Sequence, residues 1–266
     1  MSHSDTKALS NSPGMMNGKV MLILGASSGI GRETALAAGA RGASVVVASR
    51  RERECQQIVE EIESSGGTAI YVATDISALG SVSKSVDKVL HIFGRLDCAA
   101  NVAGVTGQYV PLDQGDPNDW DCTMATNLKG VWLAMKAQAA AMGSGGAIVN
   151  VSSWMADGGM ELTAPYTASK AGLQGMSRAL AVELAAQNIR VNVVAPGVVL
   201  TPMAEQFGEG LLKPFRDHTP LGRLASPLDV AEAILWLCSD ASRSVTGQIL
   251  GVDGGYSIAG HRGLFP

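Results

Sequence analysis

Short, continuously apolar stretches recur along the chain, and longer stretches with helical spacing of apolar positions lie between them. An apolar residue at nearly every position, rather than at every second one, is typical of a strand that is covered on both faces. The sequence therefore predicts parallel strands buried between helices. The predicted strands cover residues 19–24, 44–49, 68–73, 97–101, 147–152, 189–195 and 248–252.

The intervening stretches predict helices, and the last of these has a clear start signal. Ser226 is a favourable N-cap residue, Pro227 fits the first helical position and Asp229 stands at the third. Strands that alternate with helices predict an α/β fold: a doubly wound parallel sheet of seven strands flanked by helices, with right-handed crossovers. The predicted helices cover residues 30–41, 52–64, 79–93, 118–142, 165–187 and 227–239.

The chain carries no internal repeat, low-complexity linker or change of composition, so a single domain over residues 18–266 is predicted. Residues 1–17 are polar, and we expect them to form a flexible tail. This start lacks the apolar stretch of a secretory signal, and no apolar run reaches the roughly 18–20 residues that a membrane span needs. We therefore expect a cytoplasmic protein without a membrane partner.

Composition supports a well-buried core and argues against nucleic acid as a partner. Hydrophobic residues make up 46% of the 266 positions and charged residues 17%. The net charge of -4 does not supply the concentrated basic face that phosphate backbones require.

Cysteines and histidines are scattered, with no spacing typical of metal ligands. No metal site is expected, and free thiols in a reducing compartment are the simplest interpretation of the cysteines. A histidine-based nucleophile relay is equally unsupported. The residues concerned are Cys55, Cys98, Cys122, Cys238, His3, His91, His218 and His261.

A glycine-rich turn joins the first predicted strand to the first helix, in the order Gly25-Ala-Ser-Ser-Gly29-Ile-Gly31. Glycines at this place permit a tight turn and let backbone N–H groups approach a pyrophosphate at the positive end of a helix. Strand, turn, helix and a further strand together predict dinucleotide binding. The alternative is an ordinary structural turn, because a glycine cluster alone is a weak signal.

The end of the second predicted strand indicates which dinucleotide binds. An NAD site usually places a carboxylate there to hold the ribose hydroxyls, but this chain has Ser49, Arg50 and Arg51. A hydroxyl followed by a guanidinium suits a 2′-phosphate, so NADP(H) is predicted. Two alternatives stay open: a solvated arginine pair at a helix start, and an NAD(H) site that uses Glu52.

Tyr166 and Lys170 are four residues apart, so they share one face of a predicted helix. A neighbouring ammonium is expected to lower the phenol pKa from its usual value near 10, and Tyr166 can then exchange a proton with a carbonyl or alcohol oxygen. Ser153 follows a strand and can hydrogen-bond the same oxygen. The alternative is a core tyrosine beside a lysine that extends to the surface.

These motifs together resemble the short-chain dehydrogenase/reductase family, of its single-domain kind. The resemblance spans about residues 18–256 and includes Tyr166-Thr-Ala-Ser-Lys170 and Pro196-Gly197-Val-Val-Leu-Thr201. Two positions depart from the usual pattern: Leu24 replaces a threonine, and Val102 replaces an asparagine. The matching segments are 24–31, 75–76, 101–104, Asn127, Ser153, 166–170, 196–201, 220–223, 226–231, 246–247 and 252–255.

The resemblance implies a Rossmann-type fold and an NADP(H)-linked oxidoreductase acting on carbonyl or alcohol groups. It assigns catalysis to Asn127, Ser153, Tyr166 and Lys170, with Asn127 helping to hold a water that relays protons to Lys170. The residues expected to bind the cofactor are Gly25, Ser27, Ser28, Gly29, Ile30, Gly31, Ser49, Arg50, Asp75, Ile76, Asn101, Ala103, Gly104, Tyr166, Lys170, Pro196, Gly197, Val199 and Thr201.

Relatives of this family imply a dimer or tetramer, since the small residues of the Tyr166 helix (Ala168, Ala171, Gly172 and Gly175) pack against a second subunit in them. Two rival functions stay open. One is a catalytically silent dinucleotide-binding protein on the same fold. The other is an epimerase or dehydratase, which resembles an extended branch with different glycine spacing and a longer C-terminal region.

The residues near the predicted active site indicate an apolar, fairly bulky ketone or secondary alcohol as substrate. Residues 201–220 are the predicted substrate lid and carry Phe207, Leu211, Leu212 and Phe215. Trp154, Met155 and Met160 lie between Ser153 and Tyr166. The same side chains would also serve simply to pack the lid.

Overall fold

Seven parallel strands form one sheet in the spatial order β3-β2-β1-β4-β5-β6-β7. This arrangement comes from a computed structural model, which describes residues 14–205 and 207–260. The predicted seven-stranded sheet is confirmed, and no strand end differs from the prediction by more than one residue. The strands are β1 (Val20–Leu24), β2 (Ser44–Ser49), β3 (Thr68–Ala73), β4 (Cys98–Asn101), β5 (Gly146–Val151), β6 (Ile189–Pro196) and β7 (Ile249–Val252).

Helices cover both faces of this sheet and make each crossover between strands. The chain order runs from β1 outward to β3 and then returns to β4 beside β1, so the strand order reverses between β1 and β4. A crevice for ligands opens at such a reversal, beyond the carboxyl ends of the strands. The helices are α1 (Gly29–Ala40), α2 (Glu52–Ser64), α3 (Ser81–Phe93), α4 (Pro117–Met124), α5 (Val131–Met142), α6 (Met155–Gly158), α7 (Ala164–Leu184), α8 (Pro202–Glu205), α9 (Gly208–His218) and α10 (Pro227–Cys238).

Two apolar clusters, one on each face of the sheet, form the core. All five residues of β1 are buried, and they alternate between the clusters: Met21 and Ile23 pack on one side, Leu22 and Leu24 on the other. Helices α1 and α10 pack together on the first side. Burial on both faces explains why β1 is apolar at every position rather than at alternate ones.

The segment predicted as one helix over 118–142 is divided into α4, a π-helical turn at Ala125–Gly130, and α5. A Cβ atom at Gly130 would lie 2.6 Å from the carbonyl oxygen of Ile76, so this turn passes directly against the end of β3. π-Helical turns insert an extra residue into a helix and occur often at functional sites. The prediction missed this break because apolar periodicity continues across it.

Two other helices have ends that differ from the predicted ends by one to three residues. The helix predicted over 79–93 begins at Ser81, since Gly80 has φ 79° and ends the preceding turn. The helix predicted over 165–187 is α7 followed by a short 3₁₀ turn at Ala185–Gln187. The predicted cap of α10 is confirmed: the Asp229 amide donates to the Ser226 side chain, and the Ser226 amide donates to the Asp229 carboxylate.

The end of the predicted N-terminal tail belongs to the folded structure. Residues 1–13 lie outside the described part of the chain, but Gly14–Asn17 form a turn closed by the Asn17 amide, which donates to the Gly14 carbonyl at 3.2 Å. Met16 is fully buried in the core beside β1. Burial of this side chain explains why the fold extends into the segment expected to be flexible.

No helix among residues 14–205 and 207–260 is long and apolar enough to cross a membrane.

Candidate active site

A cavity of about 990 Å³ opens at the carboxyl ends of the strands. It extends from the glycine turn after β1 to the helices α8 and α9, which lie in the segment predicted as a substrate lid. Most of the residues expected from the sequence at the cofactor and catalytic sites line this one cavity. The expected residues that do not line it are Gly31, Asn101 and Asn127.

The glycine turn brings backbone into contacts that a side chain would prevent. Gly25 has φ 87°, and a Cβ atom there would lie 2.5 Å from the backbone nitrogen of Ala103. A Cβ atom at Gly31 would lie 2.3 Å from the carbonyl oxygen of Gly25. Gly31 therefore supports the turn from behind rather than lining the cavity, and both positions require glycine.

The first turn of α1 faces this cavity and contains no acidic residue. Ser28 is its N-cap residue in extended conformation, and its side chain makes no capping hydrogen bond to the helix. Ser27, Gly29 and Ile30 line the cavity as well. The free amides and the positive end of the helix dipole together suit a bound phosphate group.

Two arginines follow β2, and their side chains extend in different directions. Arg50 lies near Asp75, where its charge is one cause that lowers the pKa of that carboxyl. The Arg51 side chain returns across the glycine turn: its Nε donates to Ser27 Oγ at 3.0 Å and its Nη2 to Ser28 Oγ at 2.6 Å. Both arginines line the cavity. Arg51 is thus a cavity residue that was not among the expected cofactor ligands, although its position after Arg50 was visible in the sequence.

Ser49 is buried at the end of β2 and helps to hold this arginine segment. Its Oγ accepts a hydrogen bond from the Arg51 amide at 3.0 Å and another from the Cys55 thiol at 3.3 Å. No carboxylate occupies the end of the strand. The nearest acids along the chain, Glu52 and Glu54, stand in the first turn of α2, and neither lines the cavity.

Asp75 and Ile76 line the cavity beyond β3, as expected. The Asp75 carboxylate accepts from the amide and the hydroxyl of Ser77, at 2.9 and 2.6 Å. The Ser77 hydroxyl, followed by the backbone amide of Ser77 and the Arg50 charge, lowers the pKa of Asp75 against the opposing effect of burial. Asp75 is therefore a charged, fixed acceptor at this end of the cavity.

Asn101 lies beneath the cavity, not in its wall. Its side-chain amide pairs reciprocally with Gln138, at 3.1 and 2.8 Å, and also donates to Asn150 Oδ1 at 2.8 Å. All three side chains are buried. The cavity wall in this segment is formed by Val102, Ala103 and Gly104 instead. The side chain of Asn101 is committed to joining β4, β5 and α5, and the expectation that it lines the cofactor groove is not met.

The segment after β6 forms the opposite wall of the same cavity. Pro196, Gly197, Val199 and Thr201 all line it, as expected. A Cβ atom at Gly29 would lie 3.0 Å from the Thr201 methyl group, so this wall closely approaches the glycine turn.

Tyr166 and Lys170 both line the cavity from the first turns of α7. The Lys170 side chain is buried, and its Nζ donates to the carbonyl oxygen of Val151 at 2.8 Å. The same Nζ lies 5.7 Å from the centroid of the Tyr166 ring. This placement excludes the alternative in which the lysine extends to the surface.

Ser153 is the second residue after β5 and lies beside the Tyr166 phenol. Its Oγ accepts from the Met155 amide at 3.2 Å, at the start of α6. Burial raises the pKa of Tyr166 to about 12; the hydrogen bond with Ser153 acts against this rise, and the Tyr109 phenol adds to it. Burial therefore outweighs the lowering that the sequence predicts from the neighbouring ammonium.

The physical reason is burial of both groups: desolvation disfavours the phenolate of Tyr166 as it disfavours the ammonium of Lys170. Burial lowers the pKa of Lys170 to about 8, because desolvation disfavours the ammonium form. The structure therefore presents Tyr166 as a protonated phenol and Lys170 as an amine that titrates close to neutral pH.

Asn127 lies in the π-helical turn, fully buried behind the cavity wall. Its Oδ1 accepts from the Val105 amide at 2.9 Å, and its Nδ2 donates to the Val105 carbonyl at 2.8 Å and to Ser169 Oγ at 3.1 Å. A Cβ atom at Gly104 would lie 3.2 Å from Asn127 Oδ1 and 3.4 Å from Lys170 Nζ. The absent side chain of Gly104 thus leaves these two polar atoms facing one small space.

Aromatic and aliphatic side chains form the outer half of the cavity. Trp154 contacts Tyr256 edge-on at 4.8 Å between ring centroids, and Phe215 of α9 contacts the same tyrosine at 5.9 Å. On the other side, Tyr109 contacts Phe207 edge-on at 5.7 Å. The segment expected to form the lid therefore does line the cavity. Its two short helices, α8 and α9, were not predicted, because each has few buried positions.

Among the residues that the structure describes, no group of three or more histidine, cysteine, aspartate or glutamate side chains is arranged to hold a metal ion.

Comparison with known proteins places these features in a family. A family model described as enoyl-(acyl carrier protein) reductase matches residues 25–257. The chain is 39% identical over 245 residues to the 3-oxoacyl-[acyl-carrier-protein] reductase FabG of Thermotoga maritima, which covers 91% of this chain and 99% of that protein. It is also 39% identical over 242 residues to cis-4-hydroxycyclohexanecarboxylate dehydrogenase of Sinomonas cyclohexanicum, covering 90% of this chain and 96% of the relative.

A solved structure gives the same result for the fold. A short-chain type dehydrogenase/reductase from Mycobacterium ulcerans superposes with a TM-score of 0.88 at 32% sequence identity, over 91% of each chain. The chain belongs to the short-chain dehydrogenase/reductase family of oxidoreductases.

Proposed function

We propose that this protein is an NADP(H)-dependent oxidoreductase that interconverts a ketone or aldehyde and an alcohol by hydride transfer, with Tyr166 as general acid and base. The observation that carries the proposal is the shared cavity. Ser153, Tyr166 and the buried Lys170 line it together with the glycine turn, so a dinucleotide and a substrate can meet at the phenol. The cytoplasm is its proposed location.

The cavity residues around the glycine turn fit a dinucleotide. Gly25 and Gly31 leave room that a Cβ atom would fill, and the open amides of α1 suit a pyrophosphate. The Asn101 side chain is not among the proposed ligands, since it is engaged with Gln138 and Asn150 beneath the cavity. The backbone of Val102, Ala103 and Gly104 takes its place along the cavity.

The guanidinium groups of two arginines favour NADP(H) over NAD(H) as the cofactor. Arg50 and Arg51 line the cavity next to Ser49, where an NAD site would have a carboxylate. Arg51 already lies across Ser27 and Ser28, so a 2′-phosphate near these hydroxyls would gain a charge-assisted contact. An enzyme that prefers NAD(H) is the alternative, and Glu52 would then be its ribose ligand.

The chain's own residues account for the proton transfers. When bound, the nicotinamide supplies or accepts the hydride. Ser153 donates a hydrogen bond to the carbonyl oxygen of the substrate, and the protonated phenol of Tyr166 gives that oxygen its proton during reduction. Lys170, whose pKa of about 8 allows it to gain or lose a proton near neutral pH, then restores the phenol. Asn127 Oδ1 and Lys170 Nζ both face the space beside Gly104, which supports the proposal that Asn127 helps to hold a water that relays protons to Lys170.

The substrate is proposed to be apolar and fairly bulky. Trp154, Phe207, Leu211 and Phe215 form much of the outer cavity wall. One relative is named as a dehydrogenase of a hydroxycyclohexane carboxylate, and a structural neighbour as levodione reductase, so ring-containing substrates occur in the family. A cyclic or aryl ketone is the substrate class that this wall suits best.

A homo-oligomer is also proposed, either a dimer or a tetramer. Trp132 of α5 is 44% exposed, and it borders a shallow apolar depression with Leu128 and Met176. Contact between copies of the chain would cover this surface. Light scattering after gel filtration tests the proposal, and a monomer at micromolar concentration would contradict it.

The decisive experiment is a turnover assay. Purified protein is mixed with NADPH and a panel of cyclic and aryl ketones, and the loss of reduced nicotinamide is followed by absorbance. We expect turnover with the wild type and almost none with Tyr166→Phe. NADPH binding without turnover of any ketone or alcohol would favour the catalytically silent alternative. Conversion of a substrate without net oxidation of NADPH would favour an epimerase or dehydratase.

A further inference from the structure

A second tyrosine stands in the outer cavity wall. Tyr109 lies between β4 and α4 and lines the same cavity as Tyr166. It is 36% exposed, and its ring contacts Phe207 edge-on. Within residues 14–205 and 207–260, its hydroxyl makes no hydrogen bond. A phenol that faces a cavity without a protein partner has both a donor and an acceptor available for a ligand.

The backbone that carries Tyr109 is anchored rather than free. Val105 is held through both its amide and its carbonyl by Asn127. The Gln108 amide donates to Asp119 Oδ2 of α4 at 3.0 Å. Between these anchors Gly107 has φ 69°, and a Cβ atom there would lie 2.8 Å from both Asp119 Oδ2 and Thr123 Oγ1. The loop is therefore fixed directly before Tyr109, which defines the position from which its side chain extends.

The other polar groups of the outer cavity have different tasks. The hydroxyls of Ser153 and Tyr166 are proposed to bind the reacting oxygen. The Thr106 hydroxyl donates to the Gly107 carbonyl at 3.2 Å. Glu161 lines the cavity but is exposed to solvent. Tyr109 is thus an available hydroxyl in the outer wall, and its phenol is one cause that raises the pKa of Tyr166.

We infer that Tyr109 is a specificity-determining residue, which hydrogen-bonds a second oxygen of the substrate. The inference rests on the proposed function, and it narrows the substrate class to oxygenated ketones such as α-hydroxy ketones and 1,2-diketones. The phenol accepts from a hydroxyl or donates to a keto group, so both kinds of second oxygen fit. An apolar substituent in the same place leaves the phenol without a partner and is disfavoured.

Substitution of Tyr109 by phenylalanine separates the effect of the hydroxyl from the effect of the ring. Tyr109→Phe keeps the edge-on contact with Phe207 and removes only the hydrogen-bonding group. Tyr256→Phe is the matched control. The Tyr256 ring packs against Trp154, which lines the cavity, but Tyr256 itself does not line it. Both variants retain Ser153, Tyr166 and Lys170.

The test compares two ketones of nearly equal size, 2-hydroxyacetophenone and propiophenone, at saturating NADPH. Wild type is expected to favour the hydroxy ketone in kcat/KM. Tyr109→Phe should reduce this preference about threefold to tenfold, mainly through KM, as loss of one hydrogen bond predicts. Tyr256→Phe should leave the preference unchanged.

The possible outcomes show whether the inference about Tyr109 fails alone or together with the proposed function. If both ketones are reduced and Tyr109→Phe leaves their ratio unchanged, the assignment of Tyr109 is wrong while the oxidoreductase proposal stands. An equal loss for both ketones would show that Tyr109 only supports the lid, which also overturns the inference. If the wild type oxidises NADPH with neither these ketones nor any member of the wider panel, the proposed function fails and the inference fails with it.

Discussion

The Nζ atom of Lys170 lies 5.7 Å from the centroid of the Tyr166 ring, and both side chains project from the same face of α7 into the cavity. Burial affects the two groups in opposite directions: it lowers the pKa of the amine to about 8 and raises that of the phenol to about 12. The phenol therefore holds its proton at neutral pH, and the amine exchanges its own. In the proposed mechanism, the phenol is the proton donor in carbonyl reduction, and the amine, with its lower pKa, can then return a proton to it.

Tyr166→Phe should abolish most turnover while leaving NADPH affinity within about twofold. In the proposed mechanism the phenol supplies the proton, and general acid groups of this kind contribute roughly 10²–10⁴-fold to rate. The proposed ligands of the cofactor, by contrast, are the glycine turn and the arginines. Steady-state kinetics and fluorescence titration with NADPH measure the two effects separately. A variant with near-normal kcat would show that the general acid is another group.

Lys170→Met should make the inactive protein more stable at neutral pH. Since burial lowers the pKa of Lys170 from 10.5 to about 8, the unfolded chain binds a proton that the folded protein releases between these pH values. The free energy of unfolding of the wild type then rises with pH across that window. Methionine removes the cost of the buried charge, which we estimate at about 1–3 kcal/mol after allowance for the hydrogen bond to Val151.

Urea unfolding of wild type and Lys170→Met at pH 7 and at pH 10 measures this difference at one fixed protein concentration. The stability gap should be largest at pH 7 and narrow as the pH rises above 8. Lys84→Met, which removes an exposed lysine on α3, is the control and should show no such gap. A gap that is independent of pH would contradict a lowered pKa for Lys170.

The wild type should use NADPH in preference to NADH by roughly 10–100-fold in kcat/KM, since charge-assisted hydrogen bonds contribute about 1.5–3 kcal/mol each. The double change Ser49→Asp with Arg50→Leu should reverse the order, because it adds repulsion and removes attraction. Arg51→Leu alone should weaken NADPH use about tenfold and change NADH use little. Kinetics with both coenzymes give these ratios.

Arg53→Leu is the matched control for the arginine variants, because Arg53 is exposed on α2 and does not line the cavity. Its coenzyme preference should equal that of the wild type. A wild-type preference for NADH would refute the NADP(H) proposal and make Glu52 the next candidate, without affecting the assignment as an oxidoreductase.

Gly25→Ala should destabilise the protein and impair cofactor binding. The position has φ 87°, and the added Cβ would lie 2.5 Å from the Ala103 nitrogen, so the β4 end must move away. We expect a cost of about 2–4 kcal/mol, from strain at positive φ together with this clash. Gly210→Ala in α9, where no atom lies within 4 Å of the added Cβ, is the control and should be neutral or slightly stabilising. Equal effects of the two substitutions would contradict the role of Gly25.

Patterns local in the sequence predicted most of the fold. Strands buried on both faces, such as β1, are recognisable from continuous apolar runs, and the Ser226–Asp229 cap is recognisable from its spacing. The π-helical turn within 118–142 was not predictable, because it depends on the contact between Gly130 and the distant Ile76 carbonyl. Met16 escaped prediction for a similar reason: only packing from other segments makes its burial favourable.

The sequence predicted where the site residues lie more completely than it predicted their chemical properties. The spacing of Tyr166 and Lys170 correctly placed both in one cavity, but burial, which no spacing reveals, determined the direction of their pKa shifts. The side chain of Asn101 was expected in the groove and instead joins a buried amide network with Gln138 and Asn150. Arg51 was overlooked because two adjacent arginines give no sign of which one returns toward the glycine turn.

Asn127 has a consequence for how mutational data from this enzyme should be read. One amide group both faces Lys170 across Gly104 and fixes Val105, at the base of the loop that leads to Tyr109. Substituting it would release that loop as well as altering the space beside the amine, so a rate loss would combine two separate defects. On the proposed mechanism, substitutions beyond Gln108 should change substrate preference at little cost to the reaction, whereas remodelling at Val105 would also displace Asn127.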